Sequence, residues 1–462
     1  MNILMLIADD LGRMAGCYGE PRIQTPNIDR LAASGTRFDM AFTSTASCSA
    51  SRSVIYTGLH THETGQYGLN HDYHHFLTFG DVPTAPKLLQ EAGFHTGIIG
   101  KIHVGPHEVY PWTHREESAT RDVSWVAERA NAYFSDRKKA AESFFLTIGF
   151  VDPHRDMTRA GFGNDEFGEA DPVVSPDDVH VPPFLSDLTE VRHELAEYYR
   201  SVHRLDRGIG MVLAALESVG LADDTLVVFL SDNGAPFMNS KTTLFDAGVH
   251  LPLIVRRPGQ RPGVANPNLV SFTDILPTFL DIAGASPAPG KRRGRSLLPI
   301  LEETRVLPGW DRVFGSHTFH EVTNYWPTRF LRTPRYKYHR NVAWQLDFPF
   351  SGDLYGSLSW QGMREQDPVL IGRRPLKDYV KRPPEELFDL EADPLEVVNL
   401  AENPEYAEIL NEFRETLETW QRETSDPWLY RDGVSVMAVD HHLTSGLSLP
   451  DRFDFDLDNP KG

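Results

Sequence analysis

The sequence predicts an α/β fold: a large mixed, mostly parallel sheet sandwiched by helices, with a smaller C-terminal α+β domain built on an antiparallel sheet. Over the first two-thirds, short apolar runs alternate with amphipathic stretches, which is the pattern of parallel strands covered by helices. From about residue 331, shorter segments of alternating hydrophobicity replace these runs. A chain of 462 residues is long enough for both parts. We therefore expect domains at 1–330 and 331–462.

Five runs in the first part are apolar throughout, as strands buried on both faces should be. The predicted strands are residues 3–8, 96–100, 144–150, 226–230 and 251–255. Amphipathic stretches between and after them predict helices at 27–34, 85–92, 123–135, 191–219 and 273–283. The alternation places these helices on the faces of the sheet.

The C-terminal part combines two short predicted strands, 336–340 and 387–390, with one helix. Asn403 is a candidate N-cap, and Pro404 occupies the first helical position. One apolar stripe then runs along the helix, formed by Tyr406, Ile409, Leu410, Phe413, Leu417 and Trp420. We expect this stripe to pack on the small sheet, and we expect the polar, acidic tail after Asp432 to be loosely held.

The composition excludes some partners and compartments. The formal net charge of −20 argues against nucleic acid or an anionic membrane as partner, and no run approaches the roughly 18 apolar residues of a membrane span. The start, MNILMLIADD, lacks the basic region and cleavage site of a signal peptide. We therefore expect a cytoplasmic protein, or a periplasmic or secreted one if a leader has been removed. Two cysteines, Cys17 and Cys48, do not make a disulfide framework, and the basic run at 290–295 is interpreted as a solvated loop.

Four predicted strands end in polar residues suited to chemistry. These endings are Asp9-Asp10, Lys101-Ile102-His103, Asp152-Pro153-His154-Arg155 and Ser231-Asp232-Asn233-Gly234. Ligands of open α/β sheets bind beyond the carboxyl ends of the strands, so these groups should meet at one edge. Carboxylate and amide oxygens from Asp9, Asp10, Asp232 and Asn233 suit a hard cation, Ca²⁺ or Mg²⁺. The alternative is that each pair caps the helix that follows.

The segment Cys48-Ser49-Ala50-Ser51-Arg52 carries a second signal. A cysteine at a helix N-terminus gains from the helix dipole and the free N–H groups, and Arg52 follows one turn later on the same face. The alternative is that Cys48 is a small buried apolar residue. Polar neighbours on both sides favour a chemical role.

Cys48-x-Ala50-x-Arg52 followed by Thr57-Gly58 resembles the signature of type I sulfatases in the alkaline phosphatase superfamily, and residues 97–101 resemble their second signature. The resemblance implies that a maturing enzyme oxidises Cys48 to formylglycine, whose hydrated gem-diol is the nucleophile. The chain departs from the familiar aerobic motif in having Ala50 in place of proline, which leaves the identity of the maturing enzyme open.

Residues 68–76, 100–106, 152–155 and 320–325 narrow the resemblance to the sulfatases that remove N-linked sulfate from glucosamine in heparan- or heparin-type chains. It implies that Asp9, Asp10, Asp232, Asn233 and modified Cys48 bind Ca²⁺ or Mg²⁺ and that Arg52 orients the nucleophile. The implied sulfate-binding residues are Lys101, His154 and Lys241, with His154 as the proton donor to the leaving group and His103 as the base. The implied sugar-binding residues are His74, His75, Asp152, Arg155, His320 and Glu321.

Other functions remain open at this point. The same scaffold could serve an O-sulfatase or arylsulfatase, or a phosphate or phosphonate ester hydrolase. With Cys48 unmodified, the chain would be a non-catalytic binder of sulfated glycans. Related enzymes are often dimers, so a homodimer is a further expectation.

Overall fold

A computed structural model describes residues 1–156, 161–285 and 292–429. The predicted tail after Asp432 and the first two residues of the basic run lie outside these ranges. None of the helices within them combines the length and apolar character that crossing a membrane requires.

The large sheet has eight strands, in the order β4-β3-β5-β1-β6-β7-β2-β8. They are β1 (Asn2–Ala8), β2 (Thr36–Phe42), β3 (His95–Gly100), β4 (His114–Glu117), β5 (Phe144–Gly149), β6 (Thr225–Ser231), β7 (His250–Arg256) and β8 (Val264–Ser271). Only β7 runs antiparallel to its neighbours among these strands, so the predicted mixed, mostly parallel sheet is confirmed.

Nine α-helices of the described chain belong to this first part. They are α1 (Pro26–Ser34), α2 (Cys48–Thr57), α3 (Thr61–Thr64), α4 (Ala85–Glu91), α5 (Val123–Ala140), α6 (Asn164–Phe167), α7 (Thr189–Ser218), α8 (Asp246–Val249) and α9 (Ile275–Ile282). All five predicted helices are present. The last predicted helix does not begin at residue 273, because Phe272–Asp274 form a 3₁₀ turn that leads into α9. Helix α5 continues five residues beyond its predicted end at 135.

Both faces of the sheet are buried, as the uninterrupted apolar strands predicted. In β1, Leu4 and Leu6 pack into one core cluster, whereas Met5 and Ile7 pack into another on the opposite face. Helices α1, α5 and α7 contribute to the first cluster, and α2, α4 and α9 contribute to the second. The strand ends are therefore held from both sides.

The second part contains a four-stranded antiparallel sheet in the order β14-β11-β10-β9. Its elements are β9 (Val313–His317), β10 (Thr328–Arg332), β11 (Tyr336–Asn341), α10 (Gly352–Tyr355), α11 (Leu358–Met363), β12 (Leu370–Ile371), β13 (Arg374–Pro375), α12 (Leu376–Val380), β14 (Glu385–Asp389) and α13 (Ala407–Glu423). The predicted stripe on α13 packs on this sheet, because Leu410, Phe413 and Leu417 share a core cluster with Tyr338 and Leu387.

The predicted division between residues 330 and 331 falls inside β10. The small sheet already includes β9, and Phe348, Trp360 and Tyr379 are buried in the core of the large sheet. We propose that the C-terminal part begins before Val313 and that a segment of it returns to the first part. That return brings a residue of the C-terminal part to the edge of the large sheet.

Candidate active site

The four predicted strand endings lie side by side, because β3, β5, β1 and β6 are adjacent and parallel. The Asp9 amide donates to the Asp152 carbonyl (3.1 Å), and the Asp232 amide donates to the Ala8 carbonyl (3.0 Å). The Asp10 amide also donates to Asp232 Oδ1 (3.1 Å). These bonds fix the polar groups after each strand against those of its neighbour.

Cys48 is the first residue of α2 and is buried, with its Sγ 3.7 Å from Asp10 Oδ1. Arg52, one turn later, is also fully buried. Its Nε donates to Asp232 Oδ2 (2.9 Å) and its Nη1 donates to the Lys101 carbonyl (3.1 Å). The start of α2 therefore points at the strand endings, as the sequence predicted.

Cys48 belongs to a compact set of candidate metal ligands. One atom each from Asp9, Asp10, Cys48 and His154 can be chosen so that all lie within 4.8 Å of one another. The Asp9 Oδ1 and Asn233 Oδ1 atoms are inaccessible to solvent and have no hydrogen-bond partner within the described ranges. Oxygen atoms with unused lone pairs, gathered next to other carboxylates, fit a hard divalent cation.

Asp232 lies next to Asp10 and Arg52. Its two oxygens accept hydrogen bonds from Arg52 and from the Asp10 amide, and burial together with the charge of Asp9 raises the pKa of Asp232 to about 7. Burial alone would raise the pKa of Asp9 too, but Lys101, His154 and Arg52 hold it well below its usual range. These crowded, buried carboxylates therefore stay ionised only where positively charged side chains lie beside them.

Lys241 connects several of these groups. Its Nζ lies 2.8 Å from Asp10 Oδ2, 2.8 Å from Asp353 Oδ2 and 3.3 Å from His154 Nε2. Burial alone would lower the pKa of Lys241, but Asp10 and Asp353 raise it well above its usual value. Lys101 makes a similar ion pair with Asp9. Both predicted lysines therefore point their charge into the same cluster.

The two predicted proton-transfer histidines differ in their contacts. His154 Nδ1 donates to the Arg155 carbonyl (2.6 Å), which leaves Nε2 facing Lys241 and Asp10. Burial and the charge of Lys241 lower the pKa of His154 to about 4. Both ring nitrogens of His103 are without a hydrogen-bond partner in the described chain, and burial together with Lys101 lowers its pKa well below the usual range.

A cavity of about 700 Å³ opens in front of the cluster. Its deep wall includes Cys48, Lys101, His103, His154 and Lys241. Four of the six predicted sugar-binding residues also line it, namely His74, Arg155, His320 and Glu321. A pocket of this size with several convergent polar groups can hold a saccharide unit.

His75 and Asp152 do not line this cavity in the described structure, so the prediction for them needs correction. His75 is exposed to solvent. Asp152 is 1% exposed and bonds to three side chains: Arg121, Arg204 and Ser201. Asp152 and His154 stand two positions apart but contact different groups, and Asp152 joins the strand edge to α7.

Replacing Asp152 with alanine is expected to cost about 3–5 kcal/mol of the free energy of unfolding, since two buried guanidinium groups would lose their anion. The measurement is denaturant unfolding. The matched control is Asp187→Ala, which removes the exposed ion pair with Arg192 and should cost less than about 1 kcal/mol. Equal, small effects for both variants would contradict the assignment.

The hydrogen bonds that hold the loop before Cys48 are not foreseen from the sequence. Three hydroxyl groups of this loop each share a hydrogen bond with a buried histidine ring. The pairs are Ser44–His60 (2.7 Å), Thr45–His317 (2.8 Å) and Ser47–His320 (3.0 Å). No local spacing signals them, because two of the histidines are more than 270 positions away. Asp353, also missed, comes from the returning C-terminal segment.

Comparison with known proteins decides the family. The Sulfatase family model matches residues 1–285, which contain the Cys48 helix and three of the carboxylates around it. The chain belongs to the sulfatase family. A second model, described as N-sulphoglucosamine sulphohydrolase, C-terminal, matches residues 237–346 of this sulfatase.

Individual relatives support the assignment to the sulfatase family. The sulfatase is 38% identical to human N-sulphoglucosamine sulphohydrolase, over 94% of this chain and 92% of that protein. It is 30% identical to an ulvan-active sulfatase of Formosa agariphila, over 92% of this chain and 80% of that protein. A solved structure in complex with its substrate, D-glucosamine-2-N,6-O-disulfate, superposes with a TM-score of 0.67 at 22% identity, covering 92% of this chain and 98% of that one. The sulfatase is thus a hydrolase of a family that uses a modified cysteine and a divalent metal.

Proposed function

We propose that this sulfatase removes the N-sulfate group from glucosamine at the end of a heparan- or heparin-type chain. One observation carries the proposal: His320 and Glu321 lie in the stretch matched by the N-sulphoglucosamine sulphohydrolase model and line the same cavity as Cys48. The 38% identity to human N-sulphoglucosamine sulphohydrolase along nearly the whole chain supports it. Sulfated saccharide is accordingly the expected partner.

We propose Ca²⁺ as the cation, with Mg²⁺ as the alternative. Asp9, Asp10 and Asn233 would bind it together with the modified side chain of Cys48. Asp232, which also accepts a hydrogen bond from Arg52, would be a further ligand. When bound, the cation neutralises negative charge on the sulfate oxygens and on the nucleophile. An all-oxygen protein set favours these hard cations over softer metals.

The residues around the cation divide the remaining work. With Cys48 converted to formylglycine, Arg52 orients one hydroxyl of the hydrated aldehyde and keeps it ionised, its proton having passed to water. This oxygen attacks the sulfur atom and forms an O–S bond. Lys101 and Lys241 stabilise the charge that develops on the sulfate oxygens. The S–N bond breaks with its electron pair on nitrogen, which takes a proton from His154. The approaching anionic sulfate favours protonation of this otherwise neutral ring.

Release of sulfate needs the second hydroxyl. That hydroxyl gives its proton to His103, whose ring nitrogens have no other partner in the described chain. The C–O bond to sulfate then breaks, and the aldehyde re-forms and is hydrated again by water. The unmodified thiol could not substitute, because a sulfated thiol has no second hydroxyl with which to expel sulfate.

The partners of maturation and assembly follow from the same proposal. Oxidation of Cys48 requires a formylglycine-generating or equivalent enzyme that accepts Ala50 within the motif. A homodimer is part of the proposal as well, and sedimentation of the purified sulfatase measures it directly.

The second candidate is hydrolysis of an O-sulfate on a sugar, and the 30% identity to the ulvan-active sulfatase favours it. Relative rates on N-sulfoglucosamine, 6-O-sulfated glucosamine and an aryl phosphonate ester separate the candidates. We expect kcat/KM for N-sulfoglucosamine to exceed the values for the other two substrates by roughly 100-fold or more. A polar site strongly favours a substrate that makes all of its hydrogen bonds over one that leaves some of them unmade. A higher value for 6-O-sulfated glucosamine would establish the second candidate instead.

A further inference from the structure

Asp353 is the buried carboxylate of the cavity that the mechanism above does not use. Only 7% of the residue is exposed, and it lines the cavity at the start of α10. Its Oδ1 accepts hydrogen bonds from the Leu354 amide (2.9 Å) and the Ser351 hydroxyl (2.5 Å), which fix the orientation of the carboxylate. Its Oδ2 faces Lys241 at 2.8 Å.

Asp353 shares its lysine partner with the groups around the nucleophile. Lys241 Nζ lies 2.8 Å from both Asp10 Oδ2 and Asp353 Oδ2, and Asp10 Oδ1 lies 3.7 Å from Cys48 Sγ. His154, the proposed proton donor, contacts the same lysine at 3.3 Å.

Asp353 also lies outside the stretches that the two family models match, residues 1–285 and 237–346. It belongs to the segment of the C-terminal part that returns to the core of the large sheet. A group supplied from outside the matched catalytic stretch suits a role in choosing the substrate rather than in the shared chemistry.

The charge of Asp353 is unusual for a pocket that binds sulfate. Burial alone would raise the pKa of Asp353, but Lys241, His320 and His154 hold it well below its usual range, so the carboxylate is ionised. An ionised carboxylate repels a second anion in a poorly solvated pocket. Beyond its ion pair with Lys241, Asp353 interacts favourably with a substrate only where that substrate presents a hydrogen-bond donor.

An N-sulfate offers such a donor and an O-sulfate does not. The nitrogen that bridges sulfur and sugar carries a hydrogen, whereas the bridging oxygen of a sulfate ester has only lone pairs. After the S–N bond breaks and His154 delivers its proton, the nitrogen becomes an amine, which takes a second proton from water and turns cationic. A sulfate ester gives a neutral alcohol.

We propose that Asp353 determines specificity for N-sulfate, an inference that rests on the proposed function. Its carboxylate accepts a hydrogen bond from the N–H of the bridging nitrogen and then binds the ammonium group of the product. The plainer role would be to neutralise Lys241, and the two roles differ in what they predict. Neutralisation of Lys241 affects every sulfated substrate equally, whereas contact with the nitrogen affects only substrates that have one.

The test compares Asp353→Asn with the parent sulfatase, both carrying modified Cys48, on N-sulfoglucosamine and on 4-nitrophenyl sulfate. We expect the ratio of kcat/KM for the N-sulfate over the aryl O-sulfate to fall by roughly 10-fold to 100-fold, the usual range for a hydrogen bond to a charged group. Asp171→Asn is the matched control, because Asp171 is a buried carboxylate paired with Arg207 that does not line the catalytic cavity. Its ratio should not change.

Product inhibition gives a second measurement that does not need turnover of the N-sulfate. Asp353→Asn should weaken inhibition by glucosamine, which carries the ammonium group, by roughly 10-fold or more relative to inhibition by inorganic sulfate. An unchanged ratio of activities together with unchanged inhibition by glucosamine would overturn the role of Asp353. If the parent sulfatase cleaves the aryl sulfate but not N-sulfoglucosamine, the proposed function itself fails, and this inference fails with it.

Discussion

Replacing Cys48 with serine is expected to lower turnover of N-sulfoglucosamine by on the order of 10⁴-fold or more, the scale seen when a covalent nucleophile is lost. Serine supplies one hydroxyl, so any sulfo-ester that forms has no second hydroxyl with which to expel sulfate. The fold should persist, because the buried position accepts a side chain of nearly the same size. The measurements are kcat and the mass of the peptide that contains residue 48.

Cys17→Ser is the matched control for this substitution. Cys17 is the other cysteine of the chain, and it lies in the 3₁₀ turn Gly16–Tyr18, away from the catalytic cavity. This variant should keep the activity of the parent within about threefold, in line with the small energies of most partly exposed substitutions. Substantial turnover by Cys48→Ser, or an equal loss in Cys17→Ser, would contradict the role of Cys48.

Replacing Asp10 with asparagine is expected to abolish stabilisation by Ca²⁺ and to lower kcat by roughly 10³-fold, since one hard anionic ligand and one partner of Lys241 are lost together. Without a cation, the variant loses a buried ion pair with Lys241, so the test compares how the melting temperature of each protein responds to Ca²⁺ rather than the two melting temperatures themselves. With saturating Ca²⁺, the melting temperature of the parent should rise and that of the variant should not.

Asp171→Asn again serves as the control for Asp10→Asn and should keep the response to Ca²⁺. Removing the cation from the parent with EDTA should abolish activity, and adding Ca²⁺ should restore it. A variant Asp10→Asn that still gains several degrees from Ca²⁺ would show that the cation binds elsewhere.

The strand endings were predictable because two kinds of information coincide there. An uninterrupted apolar run predicts a strand buried on both faces, and the polar residues directly after it must lie at the carboxyl edge of the sheet. Asp9, Lys101, His154 and Asn233 follow from this reasoning alone. The strands β2, β4 and β8 were not predicted, because their sequences, TRFDMAF, HREE and VANPNLVS, carry charged or polar residues and no long apolar run.

What the sequence could not give was the direction of single side chains and the contacts between distant segments. Asp152 and His154 stand two positions apart after β5, yet Asp152 faces Arg204 on α7 whereas His154 faces Asp10. Asp353 reaches the cavity only because residues around it return to the core of the large sheet. His317 and His320 hold the loop before Cys48 across more than 270 positions.

The most direct test is a crystal structure of the mature, active sulfatase grown with Ca²⁺. We expect one cation at about 2.3–2.6 Å from oxygens of Asp9, Asp10, Asp232 and Asn233 and from a hydroxyl of oxidised Cys48, with Arg52 beside that hydroxyl. A fully active enzyme with an unmodified Cys48 thiol, or with its cation bound away from these carboxylates, would contradict this account.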